Sequence, residues 1–201
     1  GMARRDKLRA NLIQRRTSVR ILAIGGKAHQ RLICPNHPVG TVAERTEHPC
    51  AIAVMAPYVN SYRRYVRDHA APINLEWARD NRTTGIRIPI SDPEARRVEN
   101  RIGGMDCNPY LGIAASLACG YLGLVNKVTP AGQFSGDAYE GEPDIPQVLG
   151  SALDLFDAAT ELHEVLGPEF ARVYGNVKRT EYEEFLQVIS PWEREHLLLN
   201  V

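Results

Sequence analysis

The sequence predicts an α+β layout, with short antiparallel strands first and packed helices after them. Three observations carry this. Ile73, Leu75 and Trp77 alternate with Asn74, Glu76 and Ala78, and Ile86, Ile88 and Ile90 repeat the pattern, which is the period of a half-buried strand. Leu149, Leu153, Phe156, Ala159, Leu162 and Leu166 fall three or four apart, the period of one helix face. Between these regions, residues 127–147 are rich in Gly, Pro and acid and read as a long loop, of the kind that is often functional or disordered.

Taken in order, residues 1–47 form a basic N-terminal arm, and residues 48–201 form the domain. The arm holds ten Lys and Arg against three Asp and Glu, a balance of +7. Gly1 before Met2 reads as an expression scar, and no basic-then-apolar leader follows. A strand-like run, Val19 to Ile24, stops at Gly25-Gly26, and the turn residues Pro35, Asn36, Pro38 and Gly40 come next. No aromatics interleave with the basic residues, so nucleic-acid binding is not expected. Cys34-x-x-His37 and His48-x-Cys50 loosely resemble zinc-ligand spacing, but scattered loop residues explain them better.

The domain opens on an apolar run, Ala51 to Met55, that leads into Pro57 and then Asn60 to Val66. The two alternating strands follow, joined by the polar link Asp80-Asn81-Arg82-Thr83-Thr84-Gly85. A third strand is expected over Arg96 to Ile102, ending at Gly103-Gly104. Residues 107–126 carry no charge, yet Asn108, Pro109, Ser116 and three glycines interrupt them. That composition suits a buried helix with Asn108 as N-cap and Pro109 at its first position better than a membrane span. After the long loop, Gly167 closes one helix and Pro168 opens the next. Phe170, Val173, Tyr174 and Val177 make a further stripe, continued by Phe185, Leu186 and Ile189, and face the core or another subunit. Ser190-Pro191-Trp192-Glu193 fits a capping box.

Lys plus Arg and Asp plus Glu cancel at 24 each, so overall charge argues for neither nucleic acid nor membrane. Four cysteines without a short-spaced framework suggest free thiols in a reducing, cytoplasmic setting.

The arginines between 63 and 101 hold the chemical information. Arg97, Glu99 and Arg101 lie two apart, so a strand would project them from one face. A solvated, salt-bridged face is one reading. The other is a polyanion site, since guanidinium forks hold phosphates and carboxylates, and a carboxylate among them suits a bridging divalent metal. Arg64, Arg82 and Arg87 arrive from neighbouring segments. Arg87 sits between Ile86 and Ile88, an expensive place for a cation without an anionic partner.

Four blocks in this region resemble the glutamine synthetase family, in its order and near its spacing. They are Asn60-Ser61-Tyr62-Arg63-Arg64, then Asp80-Asn81-Arg82-Thr83 with Ile86-Arg87-Ile88-Pro89, then Arg96-Arg97-Val98-Glu99-Asn100-Arg101, then Asn108-Pro109-Tyr110-Leu111. Together they are specific, although each alone is weak, and the likeness spans about residues 56–201. It implies the C-terminal portion of a glutamine-synthetase-type catalytic domain. It also implies an ATP-dependent ligase that joins the γ-carboxylate of glutamate to ammonia or a polyamine through γ-glutamyl phosphate, using Mg²⁺ or Mn²⁺. By the resemblance, Arg64 and Arg101 bind glutamate. Arg82, Arg87 and Arg97 contact ATP phosphates, with Arg87 and Arg97 at the transferring group, and Glu99 is a metal ligand.

Ammonia-using members carry a flap glutamate a few residues after the arginine that corresponds to Arg64. This chain has Asp68-His69-Ala70-Ala71-Pro72 there, with Ala70 in its place. That change, and the wording of Asn74 to Trp77 and Asp80 to Thr83, looks like γ-glutamylpolyamine synthetases. The resemblance further implies an N-terminal β domain and a first catalytic half, which supply most metal carboxylates and the adenine contacts. Residues 2–47 do not resemble them. The isolated chain is therefore expected to be inactive, and to join a homo-oligomer only if that half is supplied. A non-catalytic homologue acting in assembly or partner binding is the alternative.

Overall fold

The computed structural model describes residues 20–21, 30–33, 49–92, 95, 97–128 and 131–200. Its sheet has five short strands: β1 (Arg20–Ile21), β2 (Gln30–Ile33), β3 (Trp77–Arg79), β4 (Ile86–Ile88) and β5 (Val98–Asn100), in the order β1-β2-β5-β4-β3. The helices are α1 (49–55), α2 (Pro109–Val125), α3 (Leu149–Ala158), α4 (Thr160–Leu166), α5 (Pro168–Leu186) and α6 (Pro191–His196), with a 3₁₀ turn at Val59–Arg64. The α+β layout of strands followed by helices is as expected. The zinc-like spacing falls almost wholly outside the described residues.

The strands are shorter than the sequence pattern suggested, and one pairing corrects it. β1–β2, β2–β5 and β4–β5 are antiparallel, but β3 and β4 are parallel, with Trp77 opposite Ile86 and Arg79 opposite Ile88. A parallel pair normally needs a crossover of a dozen or more residues. Here the polar link 80–85 doubles back in six. Asp80 takes φ +49°, and the Asn81 side-chain oxygen accepts from the Thr83 amide at 2.9 Å and hydroxyl at 2.8 Å. Gly85 closes the link against the backbone: a Cβ there would lie 2.2 Å from the Asn74 carbonyl oxygen. Residues 73–76 alternate in sequence but are not a strand. Ile73 and Leu75 bond to the long loop, with the Leu75 amide donating to the Asp144 side chain at 2.7 Å and the Asp144 amide to the Ile73 carbonyl at 3.2 Å.

The core sits between the sheet and the helices. Residues 51–55 of α1 and Ala56 after it are almost fully buried. Around them pack Tyr62, Tyr65 and Ile102 near the strands, Ala115, Ala118, Cys119 and Leu122 of α2, and Leu149, Ala152, Leu153 and Phe156 of α3. The small residues of α2 let it lie close to its neighbours, and Asn108 caps it by accepting from the Tyr110 amide at 3.0 Å and the Leu111 amide at 3.4 Å. No helix among the described residues is long and apolar enough to cross a membrane.

The stripe from Leu149 to Leu166 is not one helix. The backbone breaks at Ala159 (φ −84°, ψ 67°), which lets Leu162 turn into the same core as Phe156. Gly167, at φ +104°, ends α4, and Pro168 starts α5. The capping box at α6 is formed, with the Glu193 amide donating to Ser190 Oγ at 3.2 Å and the Ser190 amide to Glu193 Oε2 at 2.7 Å. Val173, Val177, Phe185, Leu186 and Ile189 remain exposed in the single chain.

Candidate active site

β5 divides two environments. On one side Asn100 enters the core and donates to Ser116 Oγ at 3.0 Å. On the other, Glu99 points at β4. The alternation read from the sequence is what separates them. Register does the rest, since Glu99 stands opposite Arg87 across the β4–β5 ladder.

Glu99 is only 4% exposed. Its carboxylate accepts from Arg87 Nη1 at 2.8 Å and from Arg97 Nε at 3.3 Å, so both oxygens are held by guanidiniums. Arg87 also pairs with Asp80, at the bend that begins the β3–β4 link. Burial pulls the Arg87 guanidinium toward neutrality, but its hydrogen bonds to Asp80 and Glu99 outweigh that and raise it above the ordinary arginine value. The cost foreseen for a cation between Ile86 and Ile88 is thus met by two carboxylates. One donor is left over, since Arg87 Nε is buried without a partner.

Arg64 and Arg101 are held differently. Arg101 donates to the carbonyls of Thr84 at 2.9 Å and Ala70 at 2.7 Å, and to that of Arg82. Its guanidinium therefore turns away from Glu99 toward the links at 68–72 and 80–85. Arg64 donates to the Ile102 carbonyl at 2.5 Å and the Arg101 carbonyl at 3.3 Å, and lies over the Tyr65 ring at 5.1 Å. Neither forms an ion pair among the described residues. Burial lowers the Arg101 guanidinium below its ordinary value. Arg82 is exposed on the link that Arg101 holds.

Arg87 and Glu99 lie on the interior strands β4 and β5, Arg97 and Arg101 flank β5, Arg82 is on the link before β4, and Arg64 reaches the carbonyls of Arg101 and Ile102. Arg87, Arg97 and Glu99 form one cluster, and Arg64, Arg101 and the Arg82 carbonyl form a second. Sequence reasoning missed three contributors. Asp80 lay inside a quoted block, but nothing local paired it with Arg87. Asp106 accepts from Ser61 Oγ at 2.5 Å and steadies the turn that carries Arg64. Tyr139, the aromatic of an acidic loop, bonds the segment that contains Ala70.

The donor set suits anionic oxygens. It does not by itself suit a divalent metal, because Glu99 is occupied by two cations and no group of three His, Cys, Asp or Glu residues among those described could hold one.

Comparison with known proteins agrees with this geometry. Residues 44–197 match the family model described as glutamine synthetase, catalytic domain. A glutamine synthetase of Methanocaldococcus jannaschii is 32% identical over 157 residues, which is 74% of this chain and 35% of that protein. The gamma-glutamylputrescine synthetase PuuA of Escherichia coli is 37% identical over 153 residues, covering 76% of this chain and 32% of that one. A glutamate–isopropylamine ligase of a Pseudomonas species is 38% identical over 147 residues, covering 70% and 32%. Among solved structures, apo GmaS without ligand superposes with a TM-score of 0.74 at 27% identity, over 87% of this chain and 45% of that one. The chain spans about a third of the length of the curated relatives it matches. With the family model covering most of its residues, the chain belongs to the glutamine synthetase catalytic-domain family.

Proposed function

We propose that this chain supplies the arginine face of an ATP-dependent ligase that joins the γ-carboxylate of glutamate to an amine through γ-glutamyl phosphate. The observation that carries the reading is the gathering of Arg64, Arg82, Arg87, Arg97 and Arg101 around strands β4 and β5, in a chain of this family. Arg101 and Arg64, charged and bonded only to neutral groups, suit the glutamate carboxylate. Arg82, Arg87 and Arg97 suit the phosphates of ATP and the transferring phosphoryl group, where positioning and fixed positive charge do most of the catalysis. The spare Nε donor of Arg87 supports that assignment. The family's Mg²⁺ or Mn²⁺ supplies further charge neutralisation when bound. Glu99 is the one candidate ligand for it here, and it does not suffice alone. Residues 48–201 act as a partial catalytic domain, and 1–47 as a basic arm whose strands β1 and β2 join its sheet.

For the acceptor, a primary amine such as a polyamine is favoured over ammonia. Ammonium needs an anion to bind it and take its proton, and Ala70 offers neither. The names of the putrescine- and isopropylamine-using relatives agree with an amine. The exposed apolar residues of α5 and α6 support the second reading, a role in assembly, as a homo-oligomer or as a non-catalytic partner.

The test is a chimaera in which residues 48–201 replace the matching segment of the E. coli gamma-glutamylputrescine synthetase. Expected are glutamate- and ATP-dependent turnover, a kcat/KM for putrescine above that for ammonia, and a shift toward ammonia with Ala70→Glu. Turnover that prefers ammonia sinks the amine reading. A well-folded chimaera without turnover sinks the ligase reading. The isolated chain is expected to show no turnover, and activity that purifies with it and disappears with Glu99→Ala would overturn that.

A further inference from the structure

The segment 67–72 carries no regular secondary structure and bends at Asp68, whose φ is +61°. Three successive carbonyls in it nevertheless have partners. Tyr139 Oη lies within reach of the carbonyls of Ala71, at 3.0 Å, and His69, and shares its one proton between them. Arg101 Nη2 takes the Ala70 carbonyl between them, at 2.7 Å. The same segment is tied a second time, as Arg67 donates to the Tyr139 carbonyl at 2.8 Å and to Glu142 at 3.1 Å.

Tyr139 is itself immobilised. The amide of Ala138 donates to Thr83 Oγ1 at 2.9 Å, the Asn74 side chain donates to the Ala138 carbonyl at 3.2 Å, and the Tyr139 side chain is buried. The loop around it is pinned along its length, with Trp77 Nε1 bonded to the Ala131 carbonyl at 2.9 Å and Asn81 Nδ2 to that of Gly136 at 2.9 Å. A rigid platform thus presents one hydroxyl to a strap that has no regular secondary structure of its own.

We propose that Tyr139 is a positioning residue, whose hydroxyl fixes the strap 67–72 over the arginine face and keeps it there when a ligand carboxylate draws Arg101 off the Ala70 carbonyl. This rests on the reading of Arg101 as a carboxylate-binding group. The chemistry is an exchange of hydrogen bonds. A charged guanidinium prefers a carboxylate to a neutral carbonyl, so Arg101 would release Ala70 on binding. The bonds from Tyr139 to the flanking carbonyls do not compete with the ligand. Burial also raises the Tyr139 hydroxyl above its ordinary value, so it stays a donor across the neutral range.

Hydrogen exchange of the full chain, followed in peptides spanning 66–73, tests this. Tyr139→Phe keeps the ring and removes the hydroxyl. It is expected to raise exchange in the strap about fivefold, the effect of one neutral hydrogen bond, and to leave α2 and β5 unchanged. Tyr139→Leu controls for packing. If Phe restores wild-type protection that Leu loses, the ring and not the hydroxyl matters, and the proposal is overturned. Unchanged strap exchange in Tyr139→Phe overturns it as well. L-glutamate, added over a concentration series, forms the second arm. Strap exchange should rise modestly in the wild type and far more in Tyr139→Phe. If glutamate binds and affects both equally, the retention role fails. If no binding is seen by isothermal titration while Tyr139→Phe still loosens the strap, the hydroxyl holds the strap but the carboxylate reading of Arg101 is what fails.

Discussion

Two arginine clusters flank strand β5, and they are neutralised in opposite ways. Around Glu99, two guanidiniums meet two carboxylates, those of Glu99 and Asp80, so the local charge cancels. Around Arg101 and Arg64, every partner given among the described residues is neutral, a carbonyl, a tyrosine hydroxyl or a ring, so two positive charges are solvated by dipoles but not cancelled. The first arrangement is a fixed internal structure. The second is a standing site for an anion, because the carbonyls orient the donors without consuming the charge. The difference locates where a carboxylate would be gripped and where charge is held in reserve by internal pairs.

Removing Glu99 is the severest way to break this comparison. Glu99→Gln keeps the shape but leaves Arg87 and Arg97 facing each other with one exposed carboxylate nearby. A broken buried pair costs about 3 kcal/mol, and urea denaturation of variant and wild type would measure it. A loss under 1 kcal/mol would mean that water reaches the pair.

A pH series sharpens the other side. Cys107 lies beneath the Arg64 turn, beside Asp106, and burial pushes its thiol up to about 11 from 9.0. The folded state therefore keeps a proton that the unfolded state gives up. The stabilisation is complete below pH 9 and is lost as pH rises from 9 toward 11, about 2 kcal/mol in all. Cys107→Ala should flatten the stability curve across that window, and an unchanged slope would assign the loss elsewhere.

Arg101→Met should cost less than Glu99→Gln, about 1.5 kcal/mol for carbonyls left without a donor. Because no ion pair is broken, the loss should be the same at low and high salt in denaturation experiments. A strong salt dependence would reveal an anionic partner. The smallest effect belongs to a surface control. Arg179 on α5 bonds Asp154 at 2.7 Å and Asp157 at 2.6 Å, but both aspartates are exposed and Arg179 is only half-buried. Arg179→Ala should change stability by about 0.5 kcal/mol, and less still in salt.

The sequence by itself determined the succession of strands and helices, the cap at Asn108, and the breaks at Gly167 and Pro191, and it proposed the candidate site residues. Each of these follows from local chemistry: apolar period, a side chain that can cap, a ring that cannot continue a helix. The site was legible because its residues stand in compact blocks and because Arg87, between two isoleucines, demands an anion wherever it folds. What only the tertiary structure decided was partnership. Asp80 meets Arg87 because the link 80–85 doubles back into a parallel strand, which no local pattern announces. Arg101 leaves Glu99 for the carbonyls of 70, 82 and 84 because those backbone groups, distant in sequence, lack other donors there. Tyr139 reaches across 68 to 70 residues to hold the strap. Backbone hydrogen-bonding groups are alike at every position, so a sequence says that they must be satisfied but not by whom.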